Sequence, residues 1–184
     1  MRALIEYPTP GPVTTALALD SWALLPIINR PLIDYHMELC LACGIHHVTI
    51  ISHQPSEDLI RYAEDGSRWG LALTHHTAKG HSNPLSWLRT LGDEWASEGL
   101  LHLHGAIFPL HKEAIPPACH TQEPEAYLHG RSCMFLGGNT KDVSQWTQGN
   151  TTRFSSFESN GLTPIPLETL YDYYRLNMDL ARTE

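Results

Sequence analysis

Three observations predict an α/β fold, a doubly wound and mostly parallel sheet with helices on both faces. The stretch "NRPLIDYHMELCLACGIHHVTIIS" (residues 29–52) reads as a capped helix, a glycine stop and a strand apolar on both faces. Short apolar runs, "RALIEY" (2–7), "LALTH" (71–75) and "LLHLHGAIF" (100–108), alternate with helical patterns. The connections are short, as right-handed β–α–β crossovers require. Together they describe a Rossmann-like single domain over residues 1–184, a length that suits one core.

Each element has a local cause. Residues 2–7 are β-prone and apolar enough for a first buried strand, whereas 8–23 show no sustained period and read as a long loop, functional or mobile. Asn29 is placed to cap a helix that Pro31 or its neighbour begins, because proline's missing N–H costs nothing in a first turn. Leu32, Tyr35, Leu39 and Ala42 recur at helical spacing, Ile33, Met37 and Cys40 widen the stripe, and Gly44 supplies the left-handed stop. Ser56 caps the short helix "EDLIRYAE", whose first-turn carboxylates suit the helix dipole. "DGSRWGL" (65–71) is a double-glycine turn, and Asn83-Pro84 opens a helix carrying Leu88, Leu91 and Trp95 to a stop at Gly99. Beyond it, "PPACHTQEPEAYLHGRS" (116–132) is loop-like, "CMFLGG" (133–138) a strand and "TRFSSFE" (152–158) a weaker strand. "PLETLYDYYRLNMDLAR" (166–182) is an amphipathic C-terminal helix.

Composition excludes several function classes. At 42% apolar and 17% charged the chain is a folded protein, and its net charge of −8 gives no footprint for nucleic acid or acidic lipid. No apolar run approaches the roughly 20 residues of a membrane span. The run in "MRALIEYPTPG" is too short for a signal-peptide core, so a cytoplasmic home is expected. The four cysteines, at 40, 43, 119 and 133, then read as reduced thiols. Cys40-x-x-Cys43 resembles half of a zinc knuckle or a redox motif, but at a helix end both thiols can pack as small apolar groups, which is the preferred reading. Six of the twelve histidines form the pairs His46-His47, His75-His76 and His102-x-His104. Strand alternation puts the last pair on one face, as metal ligands would be, yet the sequence places no further ligand beside them, and they read as solvated.

The segments "LLPIINRPLIDYHMELCLACGIHHVTIIS", "DGSRWGL" and "DYYRLNMDLAR", in that order, resemble the sugar-1-phosphate nucleotidyltransferase family, which makes NDP-sugars such as GDP-mannose or dTDP-glucose. The match covers residues 1–76 well and 166–182 moderately, while the middle matches weakly and looks shortened. The resemblance implies a nucleotide-diphospho-sugar transferase-like fold and a definite chemistry. A sugar phosphate oxygen attacks the α-phosphorus of a nucleoside triphosphate, so catalysis rests on alignment and on stabilising phosphate charge. The family supplies a glycine-rich loop after the first strand, an arginine in that loop, a lysine before "LLP", and two aspartates holding Mg²⁺.

Carried onto this sequence, the loop's paired glycines fall near Pro8 and Thr9, its later glycine matches Gly11 and its arginine falls near Val13. The lysine position is Trp22, and the aspartate positions are Ala106, in "HGA", and Pro166. Arg2 is the one basic side chain before Arg30, so no shift of the alignment restores the cations. Two prolines also remove backbone donors from the loop. The resemblance therefore implies a degenerate member, a pseudoenzyme with no catalytic residues and no retained metal or cofactor. Its candidate nucleotide cleft is Glu6, Gly11, Trp22 and Gly105, and its role is that of a scaffold, subunit or ligand-binding domain in sugar-nucleotide or polysaccharide metabolism. The implied partners are a nucleotide or NDP-sugar and a second copy or partner subunit, the 166–182 helix offering the surface; neither nucleic acid nor membrane is implied. The alternative is an active nucleotidyltransferase with rearranged residues, Asp20, Glu94 and His104 gathering near Glu6 at the end of the first strand. Metal storage or sensing through the histidines is a third reading.

Overall fold

The computed structural model describes residues 1–78, 99–111, 124–129, 132–137, 140–148 and 162–182. The elements run β1 (Arg2–Tyr7), α1 (Pro12–Ala16), β2 (Pro26–Ile27), β3 (Arg30–Pro31), α2 (Leu32–Ala42), β4 (His47–Ser52), α3 (Glu57–Ala63), β5 (Ala72–Thr77) and β6 (Leu100–His104). They continue with β7 (Ile107–His111), β8 (Glu125–His129), β9 (Ser132–Gly137), α4 (Thr140–Thr147), β10 (Leu162–Pro166) and α5 (Leu170–Ala181). The main sheet has six strands in the order β5-β4-β1-β6-β9-β8. β1 pairs in parallel with β4 and β6, β4 pairs in parallel with β5, and β9 runs against both its neighbours. The sheet is thus the mostly parallel α/β type that the sequence predicts.

Alternation along β1 divides the core. Ala3, Ile5 and Tyr7 join Val48, Ile50, Leu101, Leu103, Met134 and Leu136 in a cluster with Leu32, Ile33, Met37 and Cys40 of α2. Leu4 joins Ile51, Leu100, Cys133 and Phe135 in a second cluster with Val143 and Trp146 of α4. The Trp146 ring stacks on Phe135 at 4.8 Å between centroids. Helices therefore cover both faces, and Glu6, two residues after Leu4, must project to the α4 side.

A buried histidine ties α2 to the sheet. The Tyr7 hydroxyl lies 2.7 Å from His36 Nδ1, and His36 Nε2 lies 2.7 Å from the Ile107 carbonyl. A carbonyl only accepts, so Nε2 carries the proton and Nδ1 accepts from Tyr7. Burial, partly offset by the bond to Ile107, pushes the His36 ring down to about 4.

Several local expectations are corrected. Residues 8–23 are not one loop: α1 starts at Pro12, its entry fixed by Thr14, whose hydroxyl accepts from Gly11 N–H at 2.8 Å and donates to the Gly11 carbonyl at 3.0 Å. Asn29 does not cap α2, whose N-cap is Pro31 without a side-chain bond, because residues 28–29 turn the β2–β3 hairpin instead. "LLHLHGAIF" is two strands, β6 and β7, broken at Gly105, where φ is +97°. Part of 116–132 is the strand β8, and the C-terminal helix starts at Leu170 because Pro164 and Pro166 belong to β10, a two-stranded partner of β7. The helix predicted from Asn83 and the strand "TRFSSFE" lie outside the described residues. Cys40 is a free, buried thiol pushed up to about 12 by burial, as the packing reading has it, but Cys43 is disulfide-bonded. Spacing along the chain does not show whether a cysteine is paired, which is why the reduced reading fails there. No helix among the described residues is long and apolar enough to cross a membrane.

Candidate functional site

The chain passes from β1 through α2 to β4 and β5 on one side, then returns to β6 on the other side of β1. Strand order reverses between β1 and β6, and the space outside their carboxyl ends is where open α/β sheets hold ligands. Register brings Leu4 beside His102 and Glu6 beside His104 at this end. Gly105 then turns the chain away, and its N–H donates to the Glu6 carbonyl at 3.0 Å. A Cβ at Gly105 would lie 2.5 Å from Ser132 Oγ and 3.1 Å from Ser132 Cα, so the turn has no room for a side chain.

Glu6 is fully buried and faces three imidazoles. His102 Nε2 is 2.9 Å from Glu6 Oε1, while His53 Nε2 and His104 Nδ1 are each 3.4 Å from Glu6 Oε2. On its far side His102 Nδ1 accepts from Trp146 Nε1 at 3.1 Å. An indole nitrogen only donates, so Trp146 fixes the His102 tautomer and leaves the Nε2 proton for Glu6. Burial lowers the affinity of His102 for a second proton, outweighing the attraction of Glu6, so the ring is neutral. Burial also acts to raise the Glu6 carboxyl, but contacts with His102, His104 and His53 outweigh it and hold the group well below the usual carboxylate range. Cys133, opposite His104 on β9, is pushed up to about 12 by burial and by the negative charge of Glu6, and is inert as a nucleophile. The arrangement is a buried, ionised carboxylate with one oxygen held by His102 and the other facing the rings of His53 and His104.

The sequence-predicted positions divide into two groups. Glu6 and Gly105 are joined by the backbone bond already described. Gly11 and Trp22 form a separate contact: a Cβ at Gly11 would come within 2.9 Å of the Trp22 ring, and Trp22 Nε1 donates to the Thr9 carbonyl at 3.1 Å. Trp22 is buried, closing the crook of the loop that follows β1. Ala106 and Pro166 do become neighbours: Pro166 pairs with Ile107, and Leu167 N–H donates to the Ala106 carbonyl at 2.8 Å. Neither side chain offers an oxygen, so these two positions do not fit a magnesium ion. Asp20 accepts from Ser56 Oγ at 2.9 Å instead of facing Glu6, while Glu94 lies outside the described residues.

The expectation of solvated histidines is corrected for His102 and His104, both buried on the α4 face of β6. His102 and His53 were missed as site residues. The only signal for His102 was two-residue alternation on a strand; nothing short of the strand order could bring His53 from the end of β4 to the end of β1. The "DGSRWG" turn lies at the opposite end of the sheet, where Ala72 pairs with His47 at the start of β4. Arg68 stacks on Tyr62 and Trp69 at 4.2 and 4.7 Å, and Ser67 N–H donates to Asp65 at 3.0 Å. This motif secures the entry to β5.

No protein-family model matches the sequence, and no curated protein matches it. Among solved structures, the chain is similar to a glucose-1-phosphate thymidylyltransferase from Bacillus anthracis solved with sucrose, with a TM-score of 0.71, 14% identity and coverage of 100% of this chain and 96% of that one. It is similar to a UDP-glucose pyrophosphorylase complexed with UDP-glucose (TM-score 0.57, 8% identity, covering 100% and 99%). A CTP:phosphocholine cytidylyltransferase from Streptococcus pneumoniae is a third (TM-score 0.60, 12% identity, covering 97% and 98%). Across essentially its whole length the chain has a sugar-1-phosphate nucleotidyltransferase-like fold.

Proposed function

We propose that residues 1–184 form one non-catalytic nucleotidyltransferase-like domain that receives a nucleotide or sugar-nucleotide without transferring a nucleotidyl group. The observation that carries this reading is Trp22. Its buried ring fills the crook beside Gly11 and its indole N–H is spent on the Thr9 carbonyl, where the resemblance calls for a lysine and for open backbone donors. The charge around the site supports it. Arg2 begins β1, at the far end from the crevice, and Arg30 is paired with Glu38 at 2.6 Å and lies over Tyr35. The adjoining Ala106 and Pro166 bring no carboxylate for magnesium. Glu6, Gly11, Trp22 and Gly105 remain the proposed walls of the ligand cleft.

Thermal unfolding with a panel of nucleotides and NDP-sugars, with and without Mg²⁺, tests this. One ligand class should raise the midpoint equally in both conditions, as about 2.7 kcal/mol of stabilisation at a hundredfold excess over the dissociation constant. A shift that appears only with magnesium contradicts the reading. A flat screen removes the ligand and leaves a scaffold or subunit role. For that role α5 offers an exposed face, Tyr171, Tyr174 and Met178 at helical spacing, and sedimentation would report self-association through it. A cytoplasmic location belongs to the proposal, and the disulfide at Cys43 pulls against it.

The gathering of His104 against Glu6 favours one second reading, an active nucleotidyltransferase with rearranged residues. It requires magnesium-dependent NDP-sugar formation that Glu6→Gln abolishes.

A further inference from the structure

We propose that Glu6, His53 and His104 form a three-ligand site for a divalent transition-metal cation of the zinc class. Among the described residues no other trio of histidine, cysteine, aspartate or glutamate side chains converges this closely, and their ligand atoms all lie within 4.8 Å of one another. Two imidazoles and a carboxylate are a donor set that zinc accepts and magnesium does not favour.

The distances separate ligand spacing from hydrogen bonding. His102 sits 2.9 Å from Glu6 Oε1, an ordinary hydrogen bond. His53 and His104 sit 3.4 Å from Oε2, long for a hydrogen bond. Two ligands each about 2.1 Å from a tetrahedral zinc are about 3.4 Å apart. Both oxygen–nitrogen edges of the trio have that length, and the nitrogen–nitrogen edge is no longer than 4.8 Å, so a cation fits among the three atoms with little rearrangement.

The surroundings fit the same role. Oε1 is taken by His102, and Trp146 holds that ring in its donating tautomer. Metal-binding carboxylates are oriented by outer hydrogen bonds of this kind. Glu6 is fully buried, and among the described residues no lysine or arginine pairs with it. A buried carboxylate set against three imidazoles gains from a cation shared with them. Three protein ligands leave a fourth position for water or for an oxygen of a molecule entering the crevice. The site depends on neither functional reading, since zinc occupancy requires neither nucleotide binding nor turnover.

The test uses the full chain freed of metal by chelator dialysis and titrated with Zn²⁺ calorimetrically, with Co²⁺ in parallel as an absorbing probe. The expected result is one zinc per chain and the visible absorption of tetrahedral cobalt, with no response to Mg²⁺. His53→Ala and His104→Ala should each abolish both signals. His102→Ala should weaken binding by about 10- to 100-fold, and His47→Ala, at an exposed position on β4, should change nothing. Absence of zinc binding, or a stoichiometry unchanged in His53→Ala and His104→Ala, overturns the proposal. Should those variants fail to fold, anomalous scattering from zinc-soaked wild-type crystals decides: a peak among Glu6, His53 and His104 supports the site, while a peak elsewhere or none overturns it.

Discussion

His36 shows how one residue couples packing to pH. Its ring titrates near 6.5 when unfolded and about 4 in the fold, because burial penalises the charged form. Between those values the unfolded chain binds more protons, so stability is full above pH 6.5 and falls as pH drops towards 4, by on the order of 3 kcal/mol. His36→Gln keeps a donor for the Ile107 carbonyl and removes the titration. Urea unfolding across this window should show the wild-type slope flattened in the variant; parallel slopes would show that His36 is not the group responsible. Gly105 makes a second residue-scale case. Gly105 and Gly70 both have positive φ, at +97° and +74°, but only Gly105 meets Ser132 within 3.1 Å. Gly70→Ala should cost about 1 kcal/mol of backbone strain and Gly105→Ala about 2–3, strain plus overpacking. Equal losses in urea midpoints would mean that the turn against Ser132 is looser than its geometry indicates.

Among the elements, those whose signals are local were legible. α3 begins where Ser56 was expected to cap it, and the hydroxyl accepts from Leu59 N–H at 3.0 Å while donating to Asp20. Because Ser56 is buried and makes both bonds, Ser56→Ala should lose about 1–2 kcal/mol, measurable as a lowered urea midpoint; a loss below 0.5 would mean that the cap is replaced by water. The α2 stripe, the Gly44 stop and the doubly buried β4 were legible for the same reason, since period and capping are written within a few residues. α1, β8 and β10 were not. α1 is five residues long and hangs on the Gly11–Thr14 exchange, while β10 carries two prolines and exists through its antiparallel pairing with β7. Asn29 misled because its neighbours serve a hairpin: Ile28 N–H donates to Asn177 of α5 at 2.6 Å, a bond 149 positions away.

At the scale of the whole molecule, the order of strands makes the site. Glu6, His53 and His104 lie at the carboxyl ends of three adjacent parallel strands, and no spacing along the chain shows that they meet. Glu6 was legible as a carboxylate at a strand end, and His104 as a neighbour of it; His53 and the His102–Trp146 support needed the fold. The same fold places Ala106 beside Pro166 and closes Trp22 over the loop after β1, the two features on which the proposed non-catalytic reading rests. The most direct measurement is exchange of labelled pyrophosphate into nucleoside triphosphates, run with Mg²⁺ across all common bases and NDP-sugars. The expected outcome is no exchange above a protein-free control, even at concentrations where a ligand stabilises the fold. Magnesium-dependent exchange that scales with enzyme and survives re-purification would contradict it.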